Sequence, residues 1–314
     1  MGEGIGCAPG KAILLGEHAV VYNHPAIAIP VRGVEAQALA RTVSSPGISL
    51  DCPDLNLFLA PDQAAPSAVK PFLDLARRML QQSGCHGVGL HVRLRSTIPV
   101  QRGMGSGAAM SVALVRAIAG ALQLRVSEEE VIALAYEAER FFHHDPSGID
   151  NHVVARNQAI YYTRRRGCQP IRCRESEFHF LVADCGVRPP TAEVVRQVAE
   201  ARCRQPAHYD ALFWEIGHLV SYARQILAHG SPAQLGMCLN RNHELLCELG
   251  VSSETIDRLV AAACKAGAAG AKLSGAGRGG SVIALLSSAE QAAEVRAALQ
   301  EAGAQAIYEA AIRN

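Results

Sequence analysis

The sequence of 314 residues predicts an α+β protein of two domains, and three observations support this fold class. The length suffices for two domains of ordinary size, each with its own hydrophobic core. In the first half, several short stretches alternate apolar and polar residues, which is typical of strands. The last third predicts helices and strands in mixed order, which favours a ferredoxin-like α+β layer. We place the domain boundary between 1–175 and 176–314.

Alternating or apolar stretches predict the strands of the first half, and apolar residues at helical spacing predict its helices. The predicted strands are Ile5–Ala8, Ala12–Leu15 after a turn at Pro9 and Gly10, AIAIPV, VEAQALARTV, VGLHVRLRSTIP and NQAIYYTR; the helices are SAVKPFLDLARRMLQQSG and VSEEEVIALAYEAERFFHH. Ser127 and Glu130 have the spacing of a capping box at the start of the second helix.

The second half begins with a short apolar strand, FHFLVADCG, and continues with two helical stretches, TAEVVRQVAEARC and DALFWEIGHLVSYARQILAHG. The last third predicts, in order, the helix SSETIDRLVAAACKAG, the strands AKLSG and SVIALLS, the helix AEQAAEVRAALQEAG and the strand AIYEAAI. No internal repeat or low-complexity linker interrupts this order.

The composition excludes several classes of partner. Basic and acidic side chains number 30 and 29, so no overall field attracts nucleic acid or an anionic membrane. Aromatic residues are only 5%, which argues against platforms for stacking bases. The 10 cysteines form no CxxC pair, so we expect buried, reduced thiols. The absence of a signal peptide and of a long apolar run leads us to expect a soluble cytoplasmic protein.

A glycine-rich loop, Gly103-Met104-Gly105-Ser106-Gly107, continues directly into an apolar helix that begins with Ala108 and Ala109. The N-terminus of a helix presents unpaired N–H groups and the positive end of the dipole. Glycines let that backbone approach an anion without side chains in the way. The loop therefore predicts a phosphate site. A plain strand-to-helix connection is the alternative.

A second glycine segment, GAGRGG at Gly275–Gly280, matches the G-x-G-x-x-G spacing of dinucleotide-binding loops. That fingerprint needs a helix after it, whereas the predicted strand SVIALLS follows here. We interpret the segment as a glycine hairpin between two strands, able to press against another loop. Gly10-Lys11 is not a Walker A motif, because it is followed by alanine and lacks the earlier glycine.

Charged residues interrupt the apolar segment APGKAILLGEHAVVYNHPAIAIPV at Lys11, Glu17 and His18. Burying such groups is costly unless they are paired. They therefore belong either to a functional site or to a structural ion pair at a strand end.

The segment EAERFFHHDPSGIDNHVVA places Glu139 near the end of a helix and Asp150 after a Pro-Ser-Gly turn. Two carboxylates and an anion loop suit phosphoryl transfer, in which one carboxylate holds Mg²⁺ and the other accepts a hydroxyl proton. Taken alone, either carboxylate is more often solvated or salt-bridged. We interpret His143 and His144 as surface or packing residues, because adjacent histidines point differently and no third ligand is evident.

Three motifs together resemble the GHMP kinases: APGKAILLGEHAVVY, IPVQRGMGSGAA and KLSGAGRGGS, which occur in the order of that family. The resemblance spans nearly the whole chain. HHDPSGIDN and GEHAVVYNHPAIAIPV favour the mevalonate kinase branch over the galactokinases. The resemblance implies an N-terminal ribosomal-protein-S5-like domain with a left-handed βαβ unit, a C-terminal ferredoxin-like domain and an active site between them.

The resemblance also implies ATP and Mg²⁺ as cofactors, mevalonate as the small-molecule substrate and, because dimers are common in the family, a homodimer. It implies a role for each matched residue. Gly103, Met104, Gly105, Ser106, Gly107, Ala108 and Ala109 hold the ATP phosphates; Glu139 ligates Mg²⁺; Asp150 is the base and Lys11 beside it stabilises negative charge; Glu17, His18, Tyr162 and Arg164 line the substrate pocket, with Arg164 toward a carboxylate; Gly275, Ala276, Gly277, Gly279 and Gly280 support the phosphate loop.

One position departs from the family pattern. Gly107 stands where the family usually has a second serine, whose hydroxyl reaches Mg²⁺. Ser106 or an extra water then substitutes, or the metal is held less tightly.

Two alternatives to a mevalonate kinase stay open: another small-molecule kinase of this family, acting on phosphomevalonate or a sugar, and a sensor that binds ATP without chemistry. The presence of Lys11, Glu139 and Asp150 argues against the sensor.

Overall fold

The structure is a computed structural model that describes residues 2–85, 87–142, 146–173, 177–188 and 191–313. The strands are β1 (Glu3–Leu15), β2 (Ala26–Val43), β3 (Gly47–Cys52), β4 (Leu57–Leu59), β5 (Gly89–Ser96), β6 (Ile160–Thr163), β7 (Gly167–Pro170), β8 (Phe178–Asp184), β9 (Gly270–Ser274), β10 (Ser281–Leu285) and β11 (Ala306–Ile312). The α-helices are α1 (Lys70–Gln82), α2 (Ser106–Ala121), α3 (Glu128–Phe142), α4 (Ile149–Arg156), α5 (Thr191–Arg204), α6 (Pro206–His229), α7 (Pro232–Glu248), α8 (Glu254–Lys265) and α9 (Ala292–Glu301). The predicted α+β class is confirmed.

The chain forms two compact units that do not follow a single cut in the sequence. The first unit contains the residues up to Gly10, Val34–Pro99 and Gly105–Asn157, and the second contains Lys11–Gly33, Val100–Met104 and the chain from Gln158 onwards. The boundary that we predict at 175/176 lies outside the described residues and stays a prediction.

In the first unit, the residues of β2 after Val34 pair antiparallel with β5, β5 runs parallel to β3, and β3 pairs antiparallel with β4. Helices α1, α3 and α4 all pack against α2, which also contacts β5. Because α2 is surrounded, its residues are apolar on almost every side rather than along one stripe. This burial fixes the position of the helix that follows the glycine-rich loop.

In the second unit, four antiparallel strands lie in the order β11, β8, β10, β9, and the first residues of β2 pair with β11 and with β6. Helices α7 and α8 pack on β9, and α8 also contacts β10 and α9. Residues 275–280 connect β9 to β10, so the predicted glycine hairpin is confirmed.

Capping boxes explain where the helices α3 and α7 begin. The Ser127 N–H donates to Glu130 Oε2 at 2.8 Å and the Glu130 N–H donates to Ser127 Oγ at 3.3 Å, which confirms the predicted capping box. Ser231 and Gln234 form a second box at the start of α7. Helix α7 is not among the helices predicted from the sequence, although this signal is present there. The predicted elements also lack α4, β3, β4 and β7.

The predicted turn at Pro9 and Gly10 is wrong, because β1 continues through both residues. Within the described chain β1 pairs only with β2, which makes it an edge strand. Proline lacks an N–H donor and is tolerated on an edge strand, where one side of the backbone has no ladder to complete.

The ten cysteines are free thiols, as expected, but only Cys52, Cys173, Cys185 and Cys238 are buried. The expectation of buried thiols therefore holds for fewer than half of them. Among the described helices, none combines the length and the apolar character needed to span a bilayer.

Candidate functional site

The glycine-rich loop ends in an uncapped helix start. Gly105 precedes α2 in the left-handed conformation, with φ 74°, and no side chain of the described residues caps the helix. Ser106 and Gly107 form the first turn and are partly accessible, whereas Ala108 and Ala109 are buried. The first N–H groups of a helix have no partner within it and lie at its positive end. This helix start therefore has the chemistry of a phosphate site.

A buried hydroxyl lies one turn further along α2. The Ser111 side chain is fully buried, and its hydroxyl donates to the Gly107 carbonyl at 2.9 Å. The sequence analysis did not single out Ser111. A serine four residues after the loop is the only local signal of such a bond, and many helix serines share it.

Both predicted carboxylates belong to the first unit and lie on helices. Glu139 lies on α3 and is only 4% exposed. Asp150 lies in the first turn of α4, which Gly148 precedes in the left-handed conformation with φ 86°, and it is half-buried. Asp150 is thus beside the positive end of the α4 dipole. His143 and His144 lie outside the described residues.

In the second unit, Lys11 anchors β1 to the first half of the glycine-rich loop. Its N–H donates to the Met104 carbonyl at 3.0 Å, and the residue is 4% exposed. The predicted pairing of Lys11 with Asp150 joins residues of different units and stays a prediction.

Glu17 forms a buried ion pair with Lys272, a residue that lies 255 positions away on β9. The two side chains are 1% and 0% exposed, and Lys272 Nζ also donates to the Leu273 carbonyl. Burial raises the pKa of Glu17 and lowers the pKa of Lys272, because neither charge is solvated; their mutual attraction opposes both shifts. For Glu17 the ion pair matches the structural alternative for the charged N-terminal segment, and its place in the substrate pocket stays a prediction. Sequence reasoning missed Lys272 as its partner.

His18 contacts the same hairpin. Its Nε2 lies 2.9 Å from the Ala276 carbonyl oxygen, which only accepts hydrogen bonds, so we assign the ring proton to Nε2. Burial lowers the pKa of His18, so the ring is neutral near pH 7. Ser274, the last residue of β9, bonds to the backbone of β1. Its hydroxyl accepts from the Ile13 N–H at 2.9 Å and donates to the Ile13 carbonyl at 3.0 Å.

The hairpin also approaches the glycine-rich loop. A Cβ placed on Gly275 would lie 3.6 Å from Gly103 Cα. At Gly277, φ is 87° and a Cβ would lie 2.0 Å from the Val251 carbonyl oxygen, so this position has room only for glycine. Within the second unit, parts of all three sequence motifs therefore come together.

Arg102, within the IPVQRGMGSGAA motif, is a further polar residue that sequence reasoning missed. Its Nε lies 3.3 Å from Asp184 Oδ2 on β8, with both side chains largely buried, and its carbonyl accepts a 3.4 Å bond from Ser281 Oγ. Tyr162 on β6 is buried, and Arg164 just beyond that strand donates to the Val21 carbonyl at 3.4 Å. Arg164 thus reaches the 3₁₀ turn at Ala19–Tyr22 that follows His18.

Known families and proteins match both units of the chain. The family described as GHMP kinases N terminal domain matches residues 69–157, and GHMP kinases C terminal matches residues 223–305. The mevalonate kinase of Pyrococcus horikoshii is 33% identical over 312 residues, which cover 94% of this chain and 92% of that protein.

Two solved structures have the same fold over nearly their full length. The L. major mevalonate kinase in complex with R-mevalonate matches with a TM-score of 0.82 and 29% identity, covering 100% of this chain and 96% of that one. The Methanococcus jannaschii mevalonate kinase matches with a TM-score of 0.85 and 25% identity, covering 99% of this chain and 98% of that one.

Proposed function

Because this chain belongs to the GHMP kinase family, we propose that it transfers the γ-phosphoryl group of ATP to the primary hydroxyl of mevalonate. It is an ATP-dependent small-molecule kinase, as the members of this family are. The observation that carries the choice of substrate is the similarity to mevalonate kinases over more than nine-tenths of the chain. A matching structure that holds R-mevalonate supports the same choice.

For the phosphates, we propose the loop Gly103–Gly107 and the first turn of α2. Gly105 holds the left-handed backbone that begins the helix, and the first turn is partly accessible, with N–H groups that no described side chain caps. These donors are fixed before ATP binds, so little reorganisation accompanies charge development on the phosphoryl oxygens. Within the second unit, residues 275–280 support the first residues of the loop, because Gly275 approaches Gly103.

For the metal, we propose Glu139 with Ser106. Carboxylate and hydroxyl oxygens are the hard donors that Mg²⁺ prefers, and a carboxylate that is only 4% exposed is stabilised by a nearby cation. Mg²⁺, when bound with ATP, neutralises charge on the β- and γ-phosphate oxygens. Ser106 is the first residue of α2 and offers a hydroxyl next to the position where Gly107 has none.

For proton transfer, we propose Asp150 as the base that accepts the hydroxyl proton, with Lys11 stabilising the negative charge that develops on the oxygen. A primary alcohol does not ionise near neutral pH, so a positioned carboxylate assists the transfer. Asp150 is half-buried in the first turn of α4, beside the positive end of the helix dipole. Lys11 is held in place by its backbone bond to Met104.

For the substrate, we propose a pocket lined by His18, Tyr162 and Arg164, with Arg164 binding the carboxylate. Glu17 helps to form this pocket indirectly, because its carboxylate already pairs with Lys272. The neutral His18 ring, fixed by Ala276, presents a packing surface without adding charge.

The proposal extends to the setting of the reaction. We place the enzyme in the cytoplasm, where it catalyses an early step of isoprenoid biosynthesis. We also propose that it forms a homodimer. Residues 1–175 then form the ATP- and substrate-binding domain and 176–314 a ferredoxin-like domain. These statements follow from the proposed activity and from the resemblance of the motifs to the family.

A coupled kinase assay with Mg-ATP tests the proposal on four acceptors: mevalonate, phosphomevalonate, homoserine and galactose. We expect kcat/KM for mevalonate to exceed every other value by at least about 100-fold, because a site with polar groups placed for one substrate rejects analogues that leave them unpaired. Equal or faster turnover of phosphomevalonate or galactose would show another kinase of the family. ATP binding without turnover of any acceptor would identify a sensor.

A further inference from the structure

Three side chains of metal-ligating type meet at the junction of α7 and α8, and none of the three has a role in the site described above. His243 and Cys247 lie one helical turn apart on α7, which places them on the same face of the helix. Asp257 lies in the first turn of α8 and reaches the same point. One ligand atom from each residue lies within 4.8 Å of the other two.

The distances between these atoms are close to those of a tetrahedral site. His243 Nε2 lies 3.3 Å from Asp257 Oδ1, and Cys247 Sγ lies 3.8 Å from that nitrogen and 3.9 Å from that oxygen. Zinc bonds of about 2.0 Å to nitrogen and oxygen and about 2.3 Å to sulfur place tetrahedral ligands roughly 3.3–3.6 Å apart. The three atoms therefore need only a small contraction to share one ion.

The orientation of the histidine distinguishes a shared ion from a proton relay. A Cys-His-Asp relay needs the thiol and the carboxylate on opposite ring nitrogens. Here both face Nε2, whereas Nδ1 is buried.

Other contacts hold the cluster in place. The Ser252 hydroxyl donates to Asp257 Oδ1, which orients the carboxylate, and the His243 side chain is only 12% exposed. Cys247 and Asp257 are exposed, so an ion in solution has access to the site. A supporting hydrogen bond to a ligating carboxylate is typical of metal sites.

We propose that His243, Cys247 and Asp257 bind Zn²⁺ or a similar divalent transition-metal ion. Imidazole, thiolate and carboxylate in tetrahedral spacing suit an ion of borderline softness, whereas Mg²⁺ prefers oxygen ligands alone. Three protein ligands leave a fourth position for water. This site does not depend on the proposed kinase activity, so either proposal survives the failure of the other.

Titration of the full-length, metal-free protein with Co²⁺ tests the site by its absorption spectrum. We expect a thiolate-to-cobalt charge-transfer band and intense tetrahedral d–d bands that saturate at one equivalent, and Zn²⁺ should displace both. The carboxylates assigned to Mg-ATP carry no sulfur, so this spectrum separates the two sites.

Variants locate the ligands. Cys247→Ser should abolish the charge-transfer band, and Asp257→Asn should weaken Co²⁺ binding by at least about 100-fold, since loss of a supporting group alone costs 10- to 100-fold. The control is Cys203→Ala, which removes another exposed thiol and should leave the spectrum unchanged. No charge-transfer band in the wild type, or equal loss in the Cys203→Ala control, would overturn the proposal. Circular dichroism of each variant confirms that it is folded.

Discussion

The two units use charged residues in different ways. In the second unit, Glu17 and Lys272 are buried against each other, far from bulk water. In the first unit, Asp150 is half-buried at the start of a short helix. All three residues lie in or beside motifs of the same family. A charged residue in a family motif can therefore lie in a buried ion pair that contributes to the fold, and substitution separates that contribution from a role in the reaction.

The largest expected effect tests the chemical side of this comparison. Asp150→Asn is nearly isosteric and should lower kcat by about 10²- to 10⁴-fold, the usual contribution of a general base. ATP binding and the urea midpoint should change little, because the side chain is half-buried and keeps its shape. Steady-state kinetics and a urea titration measure both. If Asp150→Asn keeps a near wild-type kcat, the residue is structural and the mechanism rests on Lys11 and the metal.

The second prediction tests the structural side. Lys272→Met leaves the Glu17 charge buried without its partner, so the free energy of unfolding should fall by about 3–5 kcal/mol. The double variant Glu17→Gln/Lys272→Met should recover much of this loss, because a neutral, well-packed pair avoids the desolvation of two charges. Urea unfolding monitored by circular dichroism measures both. A single variant as stable as the wild type would contradict the structural role.

The sequence predicts well those features that depend on a few neighbouring residues. The capping box of Ser127 and Glu130 and the hairpin around Gly275–Gly280 are local patterns, and the structure confirms both. The box of Ser231 and Gln234 is equally local, yet α7 is not among the helices predicted from the sequence. Its stability comes from packing on β9, which no local pattern describes.

Local sequence patterns do not identify contacts between residues that are distant along the chain. The partner of Glu17 lies 255 residues away, and Asp184, the partner of the loop residue Arg102, lies on β8. The continuation of β1 through Pro9 depends on its place at an edge, which is a property of the sheet rather than of the segment. Motif resemblance identified segments that meet, but the structure was needed to show which atoms bond.

The third prediction separates the metal from the base. Glu139→Gln keeps the shape of the side chain and removes its charge, so it should raise the KM for Mg-ATP by about 10- to 100-fold and lower kcat as well. Asp150→Asn, in contrast, should change kcat with little effect on that KM. Kinetics over a range of Mg²⁺ concentrations measure the difference. An unchanged KM for Mg-ATP would exclude Glu139 from the metal site.

A smaller effect concerns pH. Burial lowers the pKa of His18 below its usual value of 6.5, so between the two values the unfolded chain binds more protons than the folded one. Stability should therefore fall as pH falls from about 6.5 through the lowered pKa, by at most about 1.4 kcal/mol per pH unit from this group. Urea unfolding between pH 5 and 7, at roughly the range where histidine titrates, measures the slope.

The His18→Asn variant should flatten this dependence. His208→Asn is the matched control, because His208 is exposed on α6 and should leave the slope unchanged. Equal slopes in the wild type and His18→Asn would show that other groups dominate the acid sensitivity.

The smallest expected effect concerns Gly107, the position where a hydroxyl is missing. Its backbone is not in the left-handed region and belongs to the first turn of α2, so serine fits the local conformation and is a better helix former than glycine. An added oxygen ligand should strengthen a site for a hard cation. Gly107→Ser should therefore lower the Mg²⁺ concentration for half-maximal rate by a few-fold, which corresponds to about 1 kcal/mol or less of binding free energy. The rate at saturating Mg²⁺ should stay close to that of the wild type, because Asp150 and Lys11 are untouched.

Gly107→Ala is the control, since it adds a side chain without a hydroxyl and should leave the Mg²⁺ dependence as it is. If Gly107→Ser also leaves it unchanged, then Ser106 already supplies the ligand or the loop follows a different path from that of the family.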